Sequence, residues 1–270
     1  MAERKEALVA IAREMQPCTV RQVFYQATVR HLVEKTEGGY EKVQRALADL
    51  RNDCAMPWSW IVDNTRWMRK PRTWDRMQDA VEHTARTYRR SLWANSGVYV
   101  EVWLEKDALA GVVVPVTDQY DVPLMVSRGY SSLTFLHASA SYIRDLDRPA
   151  VIYHLGDFDP SGRDAAKKIE ATLRRFAPDA EIEFEEIAVV PWQIKGWNLP
   201  GRLTKTTDSR SKNWEAGDSV ELDAIDANRL RYLVESAILQ HVDLDELAVV
   251  RAAEQSEREH LITWAQMFGG

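Results

Sequence analysis

From residue 98 onward the chain repeats one pattern: a short apolar run, a turn carrying acids or glycine, then a stretch of helical period. Val98, Val100, Val102 and Leu104 alternate with Tyr99, Glu101 and Trp103, which predicts a strand that delivers Glu105 at its end. Val122 to Ser127 forms a second run, followed by Arg128-Gly129-Tyr130, and Ser131 or Ser132 is placed to cap a helix running towards Leu146. Ala150 to Leu155 has the composition of a buried strand and empties into Gly156-Asp157-Phe158-Asp159-Pro160-Ser161-Gly162. A helix is expected from about Arg163 to Phe176, and another strand from Glu181 to Val190. This repetition constrains the fold to an α/β class with a mostly parallel sheet and right-handed crossovers. Reactive groups in such sheets gather at the carboxyl ends of the strands, where Glu105, Asp157 and Asp159 all fall.

The residues before this region read as helical. Leu8, Ile11, Ala12 and Met15 recur at helical spacing until Pro17, and Thr19 followed by Gln22 predicts a capping box for a second helix. The apolar stripe of that helix is Val20, Val23, Phe24, Ala27 and His31. At 100° per residue Tyr25 falls roughly 120–140° from the stripe's centre, and so is expected off the buried face. Gly38-Gly39 is expected to break the chain before a third helix marked by Tyr40, Val43, Leu47 and Leu50. Pro57 to Val62 alternates like a short strand or wing. Three short helices and a wing match a winged helix-turn-helix, a pattern that is common by chance. The expected layout is a winged helix over residues 1–66, a basic helical linker over 67–96, the α/β domain over 97–190, and a basic loop with a C-terminal helical extension over 191–270.

The net charge of −6 hides an asymmetry. Residues 1–96 hold 17 Lys and Arg against 12 Asp and Glu, a net of +5, and residues 97–270 hold 18 against 29, a net of −11. Arg66 to Arg90 alone carries 8 basic and 3 acidic residues, interleaved with Trp67, Trp74 and Tyr88. Such a mixture suits a phosphate backbone, and Arg66, Arg69, Lys70 and Arg72 are candidate DNA contacts, although a solvated helix face has the same composition. Lys205 and Arg210, in a basic loop with Lys195, Arg202 and Lys212, are candidates on the same ground, as is Arg128. The two cysteines, Cys18 and Cys54, cannot build a disulfide framework or a four-ligand zinc site. The longest apolar stretch, Leu109 to Val116, is too short to span a bilayer, and the first fifteen residues lack a signal peptide's apolar core. A cytoplasmic protein without membrane partners is expected.

Asp157 and Asp159 in one tight turn repel each other, and a hard divalent cation would relieve the conflict. A D-x-D pair also serves glycosyltransferases, phosphatases and plain helix caps. Glu105 on a separate strand end narrows these readings towards metal-assisted phosphoryl chemistry.

Leu104-Glu105-Lys106, Arg128-Gly129-Tyr130 and Leu155 to Gly162 together resemble the TOPRIM fold of topoisomerases and primases. Upstream, Arg21-Gln22-Val23-Phe24-Tyr25 resembles the Arg-x-x-Tyr-Tyr signature shared by the meiotic double-strand-break transesterase and the topoisomerase VI A-subunit. The resemblance covers roughly residues 19–190, in the family's order of winged helix and then TOPRIM. It implies that Tyr25 is the nucleophile, that Arg21 supports phosphate charge, and that Glu105, Asp157 and Asp159 hold one or two Mg²⁺ ions. It further implies a homodimer on double-stranded DNA, and it allows for a separate ATPase partner. Phe24 replaces the first tyrosine of the pair, and Ser131 stands where the family usually has proline after its Gly-Tyr. Glu221-Leu222-Asp223-Ala224-Ile225 looks like a segment of standalone bacterial and phage TOPRIM proteins.

The expected activity is that of a type IIB topoisomerase A-subunit-like transesterase forming a tyrosyl-DNA link. Its rivals are a TOPRIM nuclease that does not use Tyr25 and a non-catalytic DNA-binding protein. A small-molecule phosphotransferase is disfavoured because the chain has no Gly-rich phosphate loop of the Walker or dinucleotide type.

Overall fold

A computed structural model describes residues 2–62, 71–129, 131–202, 214 and 217–267. Four parallel strands, β1 (Tyr99–Leu104), β2 (Leu124–Val126), β3 (Ala150–Leu155) and β4 (Ile182–Ala188), form one sheet in the order β2-β1-β3-β4. All six residues of β1 and all six of β3 are buried. The alternation along β1 therefore separates two covered layers, not an inside from an outside.

One layer lies over Tyr99, Trp103, Ala150 and Ile152. It is supplied by α6 (Leu133–Asp145), through Leu136, Ala140 and Ile143, and by α7 (Pro160–Phe176), through Ile169 and Leu173. Ser132 caps α6 by accepting the Phe135 N–H at 3.2 Å, and the last turn of α7 carries Arg174 and Arg175, which suit its negative end.

The other layer lies over Val100, Leu104, Val151 and Leu155. It is built from three N-terminal helices, α1 (Ala2–Met15), α2 (Val20–Val29) and α3 (Glu37–Asn52), with α5 (Ala110–Gln119) and α9 (Ala227–Leu239). Leu8, Ile11, Val23, Leu47, Val112, Val113, Leu230 and Val234 are all fully buried there, so the N-terminal helices and the sheet share one continuous core. A short helix, α8 (Pro191–Gly196), follows β4. The helix α4 (Met77–Thr87) packs against the last helix, α10 (Leu244–Met267). Among the described residues no helix is long and apolar enough to cross a membrane.

The capping box forms as expected: Thr19 Oγ1 accepts the Gln22 N–H at 3.1 Å and Gln22 Oε1 accepts the Thr19 N–H at 3.0 Å. Three local expectations fail. Gly38 and Gly39 lie inside the first turn of α3, because Thr36 caps that turn through the Gly39 N–H and offsets their poor propensity. Residues 57–62 form no wing: Trp58–Trp60 is a 3-10 turn, and only Ile61 makes an isolated bridge, parallel to Cys18. His31 lies beyond the end of α2, in the left-handed region at φ 56°, where the helix turns off.

Candidate active site

The strand order reverses between β1 and β3, since β2 lies on one side of that pair and β4 on the other. Side chains leaving the carboxyl ends of these two strands face a common crevice. Glu105 follows β1 directly, and Asp157 is the second residue after β3. Their meeting is close: Glu105 Oε2 accepts the Asp157 N–H at 2.9 Å. A Cβ on Gly156 would lie 2.8 Å from Glu105 Oε2, a side-chain end that can shift, whereas one on Gly162 would lie 2.4 Å from the Asp157 carbonyl oxygen, so the acid turn needs glycine at 162.

Asp159 has a structural duty. It caps α7, with Oδ1 accepting the Gly162 N–H at 2.8 Å and Pro160 in the first turn. Its other oxygen lies 3.8 Å from the Arg202 guanidinium.

The acid turn is clamped to the segment that precedes α9. Phe158 and Val220 exchange two backbone hydrogen bonds, at 2.8 and 3.0 Å, and Asp157 Oδ1 accepts the Leu222 N–H at 2.7 Å. This clamp carries Glu221 and Asp223 into the crevice, both buried. Lys106 joins the two groups of acids: its Nζ lies 2.7 Å from Asp223, 3.0 Å from Asp157 and 3.3 Å from Glu221. Glu221 also meets Arg21 at 3.0 Å and Arg202 at 3.0 Å.

Charge and burial act differently on each acid. Burial and the neighbouring Asp157 charge push Glu105 up to about 7, against the weaker opposition of Lys106. Asp157 is also raised by burial, with Lys106 and the Leu222 N–H opposing. Burial would raise Glu221 as well, but Lys106, Arg21 and Arg202 together overcome it and hold the carboxylate down to about 2. Burial works against the Lys106 ammonium, and the three carboxylates around it more than restore its charge.

Tyr25 is not off the buried face. It is 4% exposed, with Lys35 Nζ 5.4 Å from the ring centroid. Burial and the Glu221 charge raise its phenol well above the ordinary tyrosine value. The helical phase holds, since Tyr25 does point away from the centre of the α2 stripe. That side of α2 is covered by the 222–225 segment, which approaches closely enough for Gln22 Nε2 to reach the Ile225 carbonyl at 3.4 Å.

Arg128 is exposed and paired with Asp107 at 3.1 Å, and Arg72 contacts His83. Arg66, Arg69, Lys70, Lys205 and Arg210 lie outside the described residues. A cleft of about 950 Å³ opens between α2, α3 and the acid turn, with Arg21, Tyr40, Glu105, Lys106, Asp157 and Arg128 in its walls.

Among the described residues no three Asp, Glu, His or Cys side chains converge closely enough to cage a metal ion. Mg²⁺ does not require a cage, because it takes one or two carboxylates and keeps waters or phosphate oxygens for the rest. Glu105, whose carboxylate accepts the Asp157 N–H, and the Asp157 carboxylate supply hard oxygen donors on adjoining strand ends. The residues fit such an ion. No family model matches the chain, and no curated protein matches it.

Proposed function

We propose that the protein is a DNA transesterase of the type IIB topoisomerase A-subunit kind, with a helix-turn-helix in residues 1–66 that lacks a wing over 57–62 and a TOPRIM domain in residues 97–190. The observation that carries this reading is the meeting of Glu105 with Asp157 at the carboxyl ends of β1 and β3, with Arg21 brought to the same crevice by Glu221. In it the Tyr25 oxygen attacks a DNA phosphorus, the phosphorus–O3′ bond breaks, and the 3′-oxygen leaves and takes up a proton. The phosphotyrosyl link keeps the bond energy for religation. Arg21, 46% exposed at its side chain, and Arg202 at 38% stand where they offset charge on a phosphate entering the cleft. Glu105 and Asp157 would hold Mg²⁺, which when bound orients the phosphate and offsets its charge, while Asp159 is engaged in the α7 cap.

Cutting both strands takes two tyrosines, so the working form is a homodimer in which Tyr25 of one protomer meets the acids of its partner. Within its own chain Tyr25 is covered, and α2 must part from the 221–225 segment before the phenol reaches DNA. That burial is also the one observation that favours a second reading, a metal-dependent nuclease in which water attacks and Tyr25 only packs.

The test is incubation of the protein with supercoiled plasmid and Mg²⁺, quenched with detergent. Linear DNA carrying covalent protein, lost in Tyr25→Phe, is the expected result. Free DNA ends produced equally by Tyr25→Phe would overturn the transesterase in favour of the nuclease.

A further inference from the structure

Lys106 is the most heavily engaged cation of the site. Its side chain is 22% exposed, and its Nζ touches one oxygen each of Asp157, Glu221 and Asp223. A lysine so placed holds three carboxylates around one positive centre, which is the task of a metal ion in sites built on hard oxygen donors. The site's other acids, Glu105 and Asp159, do not touch it; the first turns to the Asp157 N–H and the second to α7.

Charge sets how many ions the rest of the site can take. Glu105, Asp157, Asp159, Glu221 and Asp223 bring five negative charges when ionised. Lys106, Arg21 and Arg202 bring three positive ones in direct ion pairs with them. Lys35 turns its ammonium to the Pro200 carbonyl at 2.8 Å. Of the five acids, Glu105 is the one with no direct cation partner among the described residues, and it lies against the Asp157 N–H.

We propose that Lys106 is a built-in second cation of the phosphoryl-transfer site, so that each chain binds one divalent ion, at Glu105 and Asp157, and not two. This rests on the metal-dependent function above and fixes its ion count. Lys106 acts there as a positioning residue: it holds the Asp157 carboxylate at 3.0 Å and keeps Glu221 and Asp223 from recruiting an ion of their own.

The test counts ions directly, with Mn²⁺ as the probe and free Mn²⁺ followed by electron paramagnetic resonance during titration of the full-length protein without DNA. The expected result is one tight Mn²⁺ per chain in the wild type, lost in Asp157→Ala. Lys106→Met should rise to two, because Glu221 and Asp223 are then left without their ammonium, while Lys106→Arg should stay at one. A merely structural lysine would not create a second ion when removed. Two ions in the wild type overturn the proposal without any variant needing to fold, and one ion in a folded Lys106→Met overturns the role of Lys106 alone. A wild type that binds none, or one ion that survives Asp157→Ala, overturns the metal-dependent function itself.

Discussion

Arg21 and Glu221, 200 positions apart in the chain, meet at 3.0 Å and tie the second helix to the acid-bearing edge of the sheet. The same carboxylate receives Lys106 and Arg202, so its charge is compensated from three sides. Glu221→Ala leaves these cations facing one another in a partly closed crevice. The expected loss is about 2 kcal/mol of unfolding free energy, measured by urea denaturation at pH 7. Its depressed pKa has a sign: the stabilisation is present above pH 4.5, the unfolded value, and is lost as pH falls towards about 2. Between those limits the wild type should lose stability more steeply than Glu221→Gln.

Glu105 has the opposite sign. Its folded pKa, about 7, lies above the unfolded value of 4.5, so ionising it in the folded chain is penalised and stability falls as pH rises through that window. Glu105→Gln should therefore melt higher than the wild type at pH 8 and show no gain at pH 4, both without divalent ions. Adding Mg²⁺ at pH 8 should raise the wild-type melting temperature and leave the Gln variant where it was.

Gly162→Ala places a methyl group 2.4 Å from the Asp157 carbonyl oxygen, a backbone atom that cannot swing away. A cost of about 1–3 kcal/mol is expected, together with displacement of the Asp159 cap. Gly156→Ala meets the ends of two side chains, His154 and Glu105, and should fold better while altering the Glu105 titration. Thermal melts of the two variants, with the Glu105 pKa followed by carbon NMR, separate these outcomes.

His154 is 1% exposed, stacks on Phe184, and finds no hydrogen-bond partner for either ring nitrogen among the described residues. Burial and the nearby Arg163 charge lower its pKa to about 4. The unfolded chain therefore binds a proton at higher pH than the folded one, and stability drops as pH falls from 6.5 to 4. His154→Phe should remove that part of the acid sensitivity and be neutral or stabilising by about 1 kcal/mol at pH 7. Chemical denaturation at pH 7 and pH 5 checks both halves.

The sheet was legible because each strand is an apolar run bounded by turn residues, and β3 begins and ends where composition placed it. The places of Glu105 and Asp157 just beyond β1 and β3 were legible for the same reason, whereas the capping duty of Asp159 was one of several readings its turn allowed. Helical phase gave the direction of Tyr25 but not its burial, since phase describes one helix and burial depends on what arrives from elsewhere. What arrives is the 221–225 segment, held by the Phe158–Val220 pairing, a contact with no local signature in the sequence. Lys106 and Arg202 were hidden likewise. A lysine beside a catalytic-looking glutamate carries no mark of its partners, and three of those lie more than fifty residues downstream. The pairing of α4 with α10 was equally invisible, because Glu257 and Tyr88 are joined only in space.

That last pairing bears on the order in which the chain assembles. Tyr88 donates its hydroxyl to Glu257 at 2.7 Å across 169 positions, and Arg258 donates to the Tyr88 carbonyl. Closing so long a loop in an unstructured chain costs about 4.5 kcal/mol beyond a constant, more than a few rim contacts return. The strands and helices between them must gather first and shorten the gap. In time, then, α4 and α10 form a late clasp, and amide exchange along α10 should outrun exchange in β1 and β3.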